Sequence, residues 1–285
     1  MDLSIIIVNY KTLELTSNCL DSIYEANMKG INFEVIVVDN ASEDGSIEAI
    51  EGHYPQVKII KNAENLGFSK ANNMGIRGSV ADFILLLNSD TIVEGNTIGD
   101  ALAFMRNHRH VGALGCKVLL ESGALDLACK RSFPTPTNGI YHSLKLDKRF
   151  PKSKRFGEYN LTFVDEDKIC SVDCIMGAFM MVSRQAIDAV GLLDEDYFMY
   201  GEDVDWCYRI KKAGFQIIYY PKVRIFHYKK ASGIGKRNPK TIEAFYDSMG
   251  IFYQKHYRGK YNPLTTNAVL WGTQVMKKLA LRRNR

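Results

Sequence analysis

The chain has 285 residues, 46% hydrophobic and 24% charged, with a net charge of +5. That length suffices for one large domain or a domain with an appended lobe, and the mild charge does not call for nucleic acid as a partner. No apolar run approaches the roughly 20 residues that cross a bilayer, and "MDLSIIIVNYK" is too short and lacks the basic start of a signal peptide, so a cytoplasmic protein is expected.

In chain order, "LSIIIV" (3–8), "FEVIVVD" (33–39), "VKII" (57–60) and "FILLLN" (83–88) read as strands. Helices are expected from Thr12 to Asn27, near 46–52 and near 69–79. Continuous apolar strands separated by amphipathic helices indicate a parallel sheet covered on both faces, an α/β doubly wound half-domain. A helix over 97–108 follows, then "VGALGCKVLL" and "ALDLACK" as two strands joined by a Glu-Ser-Gly turn. "RSFPTPTNG" and the basic segment 145–156 lack periodicity and read as loops. "GAFMMVSR" resumes as a strand, "RQAIDAVG" is a helix closed by Gly191, and a helix from Val204 to Ala213 ends at Gly214. "FQIIYY" and "VRIFHY" read as two short strands, and 238–257 and 264–281 as helices. Cys19, Cys116, Cys129, Cys170, Cys174 and Cys207 form no CxxC pair and read as free thiols.

In doubly wound sheets, ligands sit beyond the carboxyl ends of the strands, where helix N-termini point free N–H groups at the crevice. Those ends carry Asn9 and Tyr10, Asp39 and Asn40, Asn65 to Phe68, and Asn88, Ser89 and Asp90. Asp39 and Asp90 each end an apolar run; either could be a helix cap or turn former, yet two at the ligand end favour binding. Neither GxGxxG nor GxxxxGK[ST] is present, which disfavours a Rossmann dinucleotide site and a P-loop. A phosphate-bearing ligand would then need another source of positive charge. A divalent metal on one carboxylate supplies it, and Asp90 is the candidate. In "YGEDVDW", Glu202, Asp203 and Asp205 crowd a helix start, where acids also serve as caps. The preceding Tyr197, Phe198, Met199 and Tyr200 make an apolar wall that suits a general base. A lone histidine such as His227 is usually structural, although Lys229, Lys230 and Gly233 beside it suit phosphate.

Six segments in order, "SIIIVNYKTLELTSNCLDSI", "VIVVDNASEDGS", "NAENLGFSKANNMGI", "ILLLNSDT", "GAFMMVSRQAIDAVGLLDEDYFMYGEDVDWCYRIKKAG" and "FH" before "KKASG", resemble the family 2 glycosyltransferases, and within them the rhamnosyltransferase-like branch. The resemblance implies a GT-A type Rossmann-like mixed sheet flanked by helices and an inverting displacement. By that resemblance Asp90 and His227 hold Mn²⁺ or Mg²⁺, with Asn88 where such enzymes carry the first acid of their Asp-x-Asp. Asp39 would read the pyrimidine, while Asn9, Tyr10, Asn40, Asn65, Gly67, Asn72, Asn88 and Ser89 line the nucleotide sugar. Many relatives have Arg where Asn72 stands. Asp203 would be the catalytic base, with Glu202 its acidic neighbour. The donor implied is dTDP-rhamnose, with UDP-hexoses behind it, and the acceptor a glycan or a polyprenyl-diphosphate-linked sugar in cell-surface polysaccharide synthesis.

The expected organisation is a catalytic domain over 1–235, with a nucleotide-binding half (1–95) and an acceptor half (96–235), and a C-terminal helical extension over 236–285. In that extension Leu264, Ala268, Trp271, Val275 and Leu279 form one stripe, with Lys277, Lys278, Arg282 and Arg283 at its end. Such a helix suits the inner surface of an anionic membrane, and equally suits packing on the catalytic domain or on a second subunit in a homodimer. Two other classes compete: a nucleotidyltransferase, which generally needs a Gly-rich basic loop that "VNYKTLEL" lacks, and a non-catalytic glycan-binding protein.

Overall fold

The computed structural model describes residues 1–228 and 238–284; Lys229, Lys230 and Gly233 lie outside the described residues. Four parallel strands open the chain: β1 (Leu3–Asn9), β2 (Phe33–Asp39), β3 (Lys58–Lys61) and β4 (Phe83–Asn88), in spatial order β3-β2-β1-β4. Ile5, Ile6, Ile7, Val37 and Leu85 are fully buried, because helices cover both faces. These are α1 (Leu13–Glu25), α2 (Ser46–His53) and α3 (Phe68–Arg77). Helix α3 lies close against β1 at Gly75, where a Cβ would come within 2.6 Å of the Ile6 side chain.

After β4 only Ser89 and Asp90 intervene before β5 (Thr91–Val93); α4 (Thr97–Asn107) and β6 (Val111–Leu120) follow. Across the sheet the order continues β4-β10-β6-β11-β5, with β10 (Phe179–Ser183) antiparallel to both neighbours and β11 (Gln216–His227) parallel to β6. β5 follows β4 almost at once in the chain yet pairs three strands further on, so the ends of β6 and β11 must curl back over the carboxyl edge. That curl sets Thr91 opposite His227.

Three expectations are corrected. The segment "ALDLACK" makes a single bridge, Leu119 to Leu125, then a 3₁₀ turn at Leu127–Cys129, because the Asp126 carboxylate accepts from Ala128 N at 3.2 Å and turns the chain. Only Lys130–Arg131 then remains extended, as β7, which pairs with β9 (Cys174–Ile175); β8 (Cys170–Ser171) pairs with β11. Second, the stretch expected as loops contains α5 (Pro136–Ser143) and one turn of α6 (Leu146–Arg149). A reciprocal cap between Thr135 and Asn138, with Pro136 at the first helical position, starts α5 without any apolar periodicity. Third, the two expected strands are one: β11 runs through Pro221, which has no N–H to donate, and the ladder slips between Tyr220 and Arg224 instead of ending.

Helices α7 (Arg184–Val190) and α8 (Glu202–Lys212) complete this part of the fold. α9 (Pro239–His256) docks on α8 through His256 Nε2 and Asp205 at 2.6 Å, with Phe252, Tyr253 and Tyr257 buried. α10 (Pro263–Arg283) lies against α9, where Lys277 pairs with Asp247 at 2.7 Å, and buries none of its residues fully. Its apolar stripe faces outward, with Leu264 83% and Trp271 71% exposed, so packing of that stripe on the rest of the described chain is excluded. All six cysteines are free, as the spacing indicates.

Candidate active site

The carboxyl ends of β1, β2, β4, β6 and β11 and the start of β10 share one edge, which gathers residues distant in sequence. On the nucleotide side Asn9 Nδ2 donates to Asp39 Oδ1 at 2.8 Å and to Ser42 Oγ at 3.0 Å, while Asn9 Oδ1 accepts from Thr12 and Thr16. Those four bonds saturate the amide. Asn40 is saturated too: it donates to Asn65 Oδ1 and Gly67 O and accepts from Asn62 and Leu66 N. Both side chains are therefore spent on holding loops, and Asn72, buried, donates to Phe68 O within its own helix. Asp39 keeps capacity on Oδ2, which accepts only Ser42 N, and Tyr10 stands exposed. Gly67, at φ +84°, carries the loop under Phe198, whose carbonyl would lie 2.5 Å from any Cβ there.

Thr12 Oγ1 lies 3.2 Å from Ser89 Oγ, linking this network to the Asn88–Asp90 turn. A cleft of about 530 Å³ opens between the first turn of α1 and Asp90, with Lys11, Asn18 and Tyr228 in its walls. Asp90 Oδ1 lies 3.0 Å from His227 Nε2, and Tyr228 N donates to Asp90 O at 2.8 Å. On the far side of the imidazole, Asp126 Oδ2 lies 3.7 Å from Nδ1. At that distance the carboxylate acts on the imidazole through its charge rather than a hydrogen bond, and its field favours a cation at the other nitrogen. Asn88 Nδ2 also approaches His227 Nε2, at 3.4 Å, and Asn88 Oδ1 is buried without a hydrogen-bond partner.

These donors fit a small dication. Two neighbouring octahedral ligands, each about 2.1 Å from Mg²⁺, lie about 3 Å apart, which is the separation of Asp90 Oδ1 and His227 Nε2. Among the described residues no group of three or more His, Cys, Asp or Glu is poised to hold a metal. A dication here would accordingly complete its shell with substrate phosphate and water.

Asp203 is tied to the same edge. Asn88 N donates to Ala178 O at 3.1 Å, and the adjacent Gly177 lies against both Phe68 and Asp203, whose Cβ would be 3.9 Å from a Cβ placed on the glycine. Asp203 Oδ2 accepts from Arg131 Nη2 at 2.5 Å, and Oδ1 accepts from Val204 N at 2.8 Å. Arg131 donates also to Ile175 O, and its Nε is buried without a partner. Glu202 is buried beside this pair with Oε2 unpartnered; burial first, then the Asp203 charge, pushes its carboxyl up to about 8. The expected aromatic wall divides: Tyr197 is buried, while Phe198 stays partly exposed over Gly67.

The edge thus brings together Asp39, Asn88, Ser89, Asp90, Asp203 and His227, and adds Asp126 and Arg131, which sequence reasoning missed. No spacing marks either; Asp126 opens a 3₁₀ turn and Arg131 lies in the two-residue strand β7.

The glycosyltransferase-like family 2 model matches residues 2–262. The N-acetylglucosaminyl-diphospho-decaprenol L-rhamnosyltransferase of Mycobacterium tuberculosis is 28% identical over 266 residues, covering 88% of this chain and 85% of its own. The rhamnosyltransferase WbbL of Escherichia coli is 27% identical over 234 residues, covering 79% and 82%. Among solved structures, the mannosyltransferase PcManGT of Pyrobaculum calidifontis, in complex with GDP-Man and Mn²⁺, superposes with a TM-score of 0.62 at 19% identity, covering 99% of this chain and 72% of that one. That likeness is one of fold: a mixed sheet flanked by helices, of the GT-A type.

Proposed function

The chain belongs to the family 2 glycosyltransferases, and from that premise we propose that it is an inverting, metal-assisted enzyme that moves rhamnose from dTDP-rhamnose to a glycan or polyprenyl-diphosphate-linked acceptor in cell-surface polysaccharide synthesis. The observation that carries this reading is the approach of Asp90 and His227 to 3.0 Å on the edge that also holds Asp39 and Asp203. In this reading Asp39 and Tyr10 receive the nucleoside, and Asn9, Asn40, Asn65 and Gly67 hold the loops around it. Asp90 and His227 hold the cation, Mn²⁺ or Mg²⁺, while Asn72, Asn88 and Ser89 belong to the lining of the nucleotide sugar. When bound, that cation supplies a Lewis acid for the diphosphate leaving group. Asp203 takes the proton of the acceptor hydroxyl as its oxygen attacks the anomeric carbon from the face opposite the nucleotide. Arg131 fixes the direction of that carboxylate, so the base enters the reaction already aimed. Glu202, enclosed behind it, shapes the local field. The mycobacterial relative's decaprenol-linked substrate supports a lipid-linked acceptor.

The units proposed are a catalytic domain over 1–235, divided at 95, and an extension over 236–285. No helix among the described residues is long and apolar enough to cross a membrane. Attachment to the inner membrane surface is proposed through α10, where Leu264, Trp271 and Leu279 stand exposed with Lys278, Arg282 and Arg283. Removing 264–285 should weaken binding to anionic vesicles and leave donor binding intact.

A thermal-shift panel of nucleotide sugars with and without Mn²⁺ tests the donor assignment. dTDP-rhamnose with Mn²⁺ should raise the unfolding midpoint, since ligand at 100 times its dissociation constant adds about 2.7 kcal/mol. A larger shift with UDP-hexoses would move the assignment to those donors. A chelator-insensitive shift would remove the cation from the reading.

A further inference from the structure

The segment from Ile140 to Arg155 carries six cations, Lys145, Lys148, Arg149, Lys152, Lys154 and Arg155, against one acid, Asp147. The local excess of five equals the net charge of the whole chain. All six cations are exposed, and none makes an ion pair with another described residue. The acid, by contrast, is turned inward: Asp147 is 2% exposed and bonds His142 Nδ1 at 2.7 Å, with Asn160 Nδ2 at 3.5 Å. Within 140–155 every exposed charge is therefore positive; the next acid, the exposed Glu158, comes only at the end of the lobe.

The same face is also apolar. Ile140 is 58%, Leu144 64% and Phe150 46% exposed. A soluble polyanion would gain nothing from bare aliphatic tips among the cations. A surface that offers phosphate at one depth and hydrocarbon just below satisfies both. The lobe is built rather than loose. Arg149 lies over the Phe150 ring and Arg155 over those of Tyr141 and Phe156, Thr162 Oγ1 donates to Pro151 O at 2.6 Å, and Lys130 Nζ donates to Leu161 O and Val164 O beneath. Its two ends meet where Ser132 N donates to Tyr159 O at 2.9 Å, one residue from Arg131, the partner of Asp203.

We propose that the α5–α6 lobe, through Lys145, Lys148, Arg149 and Lys152 with the tips of Leu144 and Phe150, docks on the surface of an anionic lipid bilayer and turns the Arg131–Asp203 side of the site toward it. This contact is separate from the one proposed for α10, and it does not depend on the sugar transferred.

Flotation of the full-length protein with phosphatidylcholine vesicles, with and without phosphatidylglycerol, tests it. Each cation near an anionic surface is worth roughly fivefold in partition, so Lys148→Glu, Arg149→Glu and Lys152→Glu together should lower binding to anionic vesicles by about a hundredfold or more. Leu144→Ser with Phe150→Ser should lower partition while leaving its salt dependence in place. Because all five side chains are exposed, the unfolding midpoint and the donor-induced thermal shift should match wild type, which separates a lost surface from a lost fold or donor site. Wild-type flotation of both lobe variants, with loss confined to Trp271→Ser, would assign attachment to α10 alone and overturn the proposal. Equal binding to uncharged vesicles, or retention on a soluble polyanion without flotation, would overturn it too.

Discussion

The carboxyl edge of the sheet holds two carboxylates in opposite company. Asp90 faces a histidine, a neutral ligand that can share a cation; Asp203 faces an arginine, which stays protonated and coordinates nothing. A dication is drawn to the first and repelled from the second by the fixed guanidinium charge. In the proposed reading the same side chain has two tasks: at Asp90 to gather positive charge against a leaving group, and at Asp203 to keep one oxygen aimed while the other accepts a proton. The supports differ in kind as well. Asp126 stands behind His227 as a second carboxylate, whereas Arg131 donates to the Ile175 carbonyl and to Asp203 and lies beside the Tyr159 hydroxyl.

The largest effect expected from breaking this contrast is at Asp203. Asp203→Asn should lower turnover by about 10²- to 10⁴-fold, the usual worth of a general base, and leave the Mn²⁺-dependent donor shift unchanged. Asp90→Asn should do the reverse and abolish that shift. If the Asp203 variant lost donor binding, or the Asp90 variant kept it, the two tasks would have to be exchanged. A smaller effect is expected behind the histidine: Asp126→Asn should weaken Mn²⁺ binding by about 10- to 100-fold, as loss of an outer carboxylate usually does. Titration of donor binding with Mn²⁺ reads this directly, and an unchanged midpoint would leave Asp126 only its 3₁₀ turn.

How much of this was visible beforehand follows from what generates each signal. β1, β2 and β4 were legible almost to the residue because burial on both faces leaves uninterrupted apolar runs, and their ends carried Asp39 and Asp90 in plain sight; β3, at the sheet edge with Lys58 and Lys61 exposed, was placed one residue early. His227 was legible as a residue and as a match to a family position, but its approach to Asp90 depends on β11 passing through Pro221 and on β5 folding back to it, long-range events that no local pattern encodes. Arg131 and Asp126 were invisible because the chain around them is shaped by caps and single turns. The outward stripe of α10 was legible as a stripe; only the fold shows that α9 takes the other face.

The finest test concerns the group beside Asp203. Folded, Glu202 keeps its proton up to about 8, because burial and the neighbouring negative charge both penalise its ionised form. An unfolded chain releases it near 4.3. Between those values unfolding frees a proton, so raising the pH favours the unfolded chain, and this residue costs stability progressively until about pH 8, after which its contribution is flat. Glu202→Gln removes that term, so the variant should match wild type near pH 5 and unfold several degrees higher at pH 8, at about 2–4 °C per kcal/mol. The carboxylates held low by partners, Glu34 against Lys58 and Asp194 against Lys255, lose their stabilisation only in more acidic solution and leave this window clear. Parallel melting curves across the range would mean that Glu202 is already ionised beside Asp203, and the cleft would then carry one more negative charge at its base than the burial of that side chain allows.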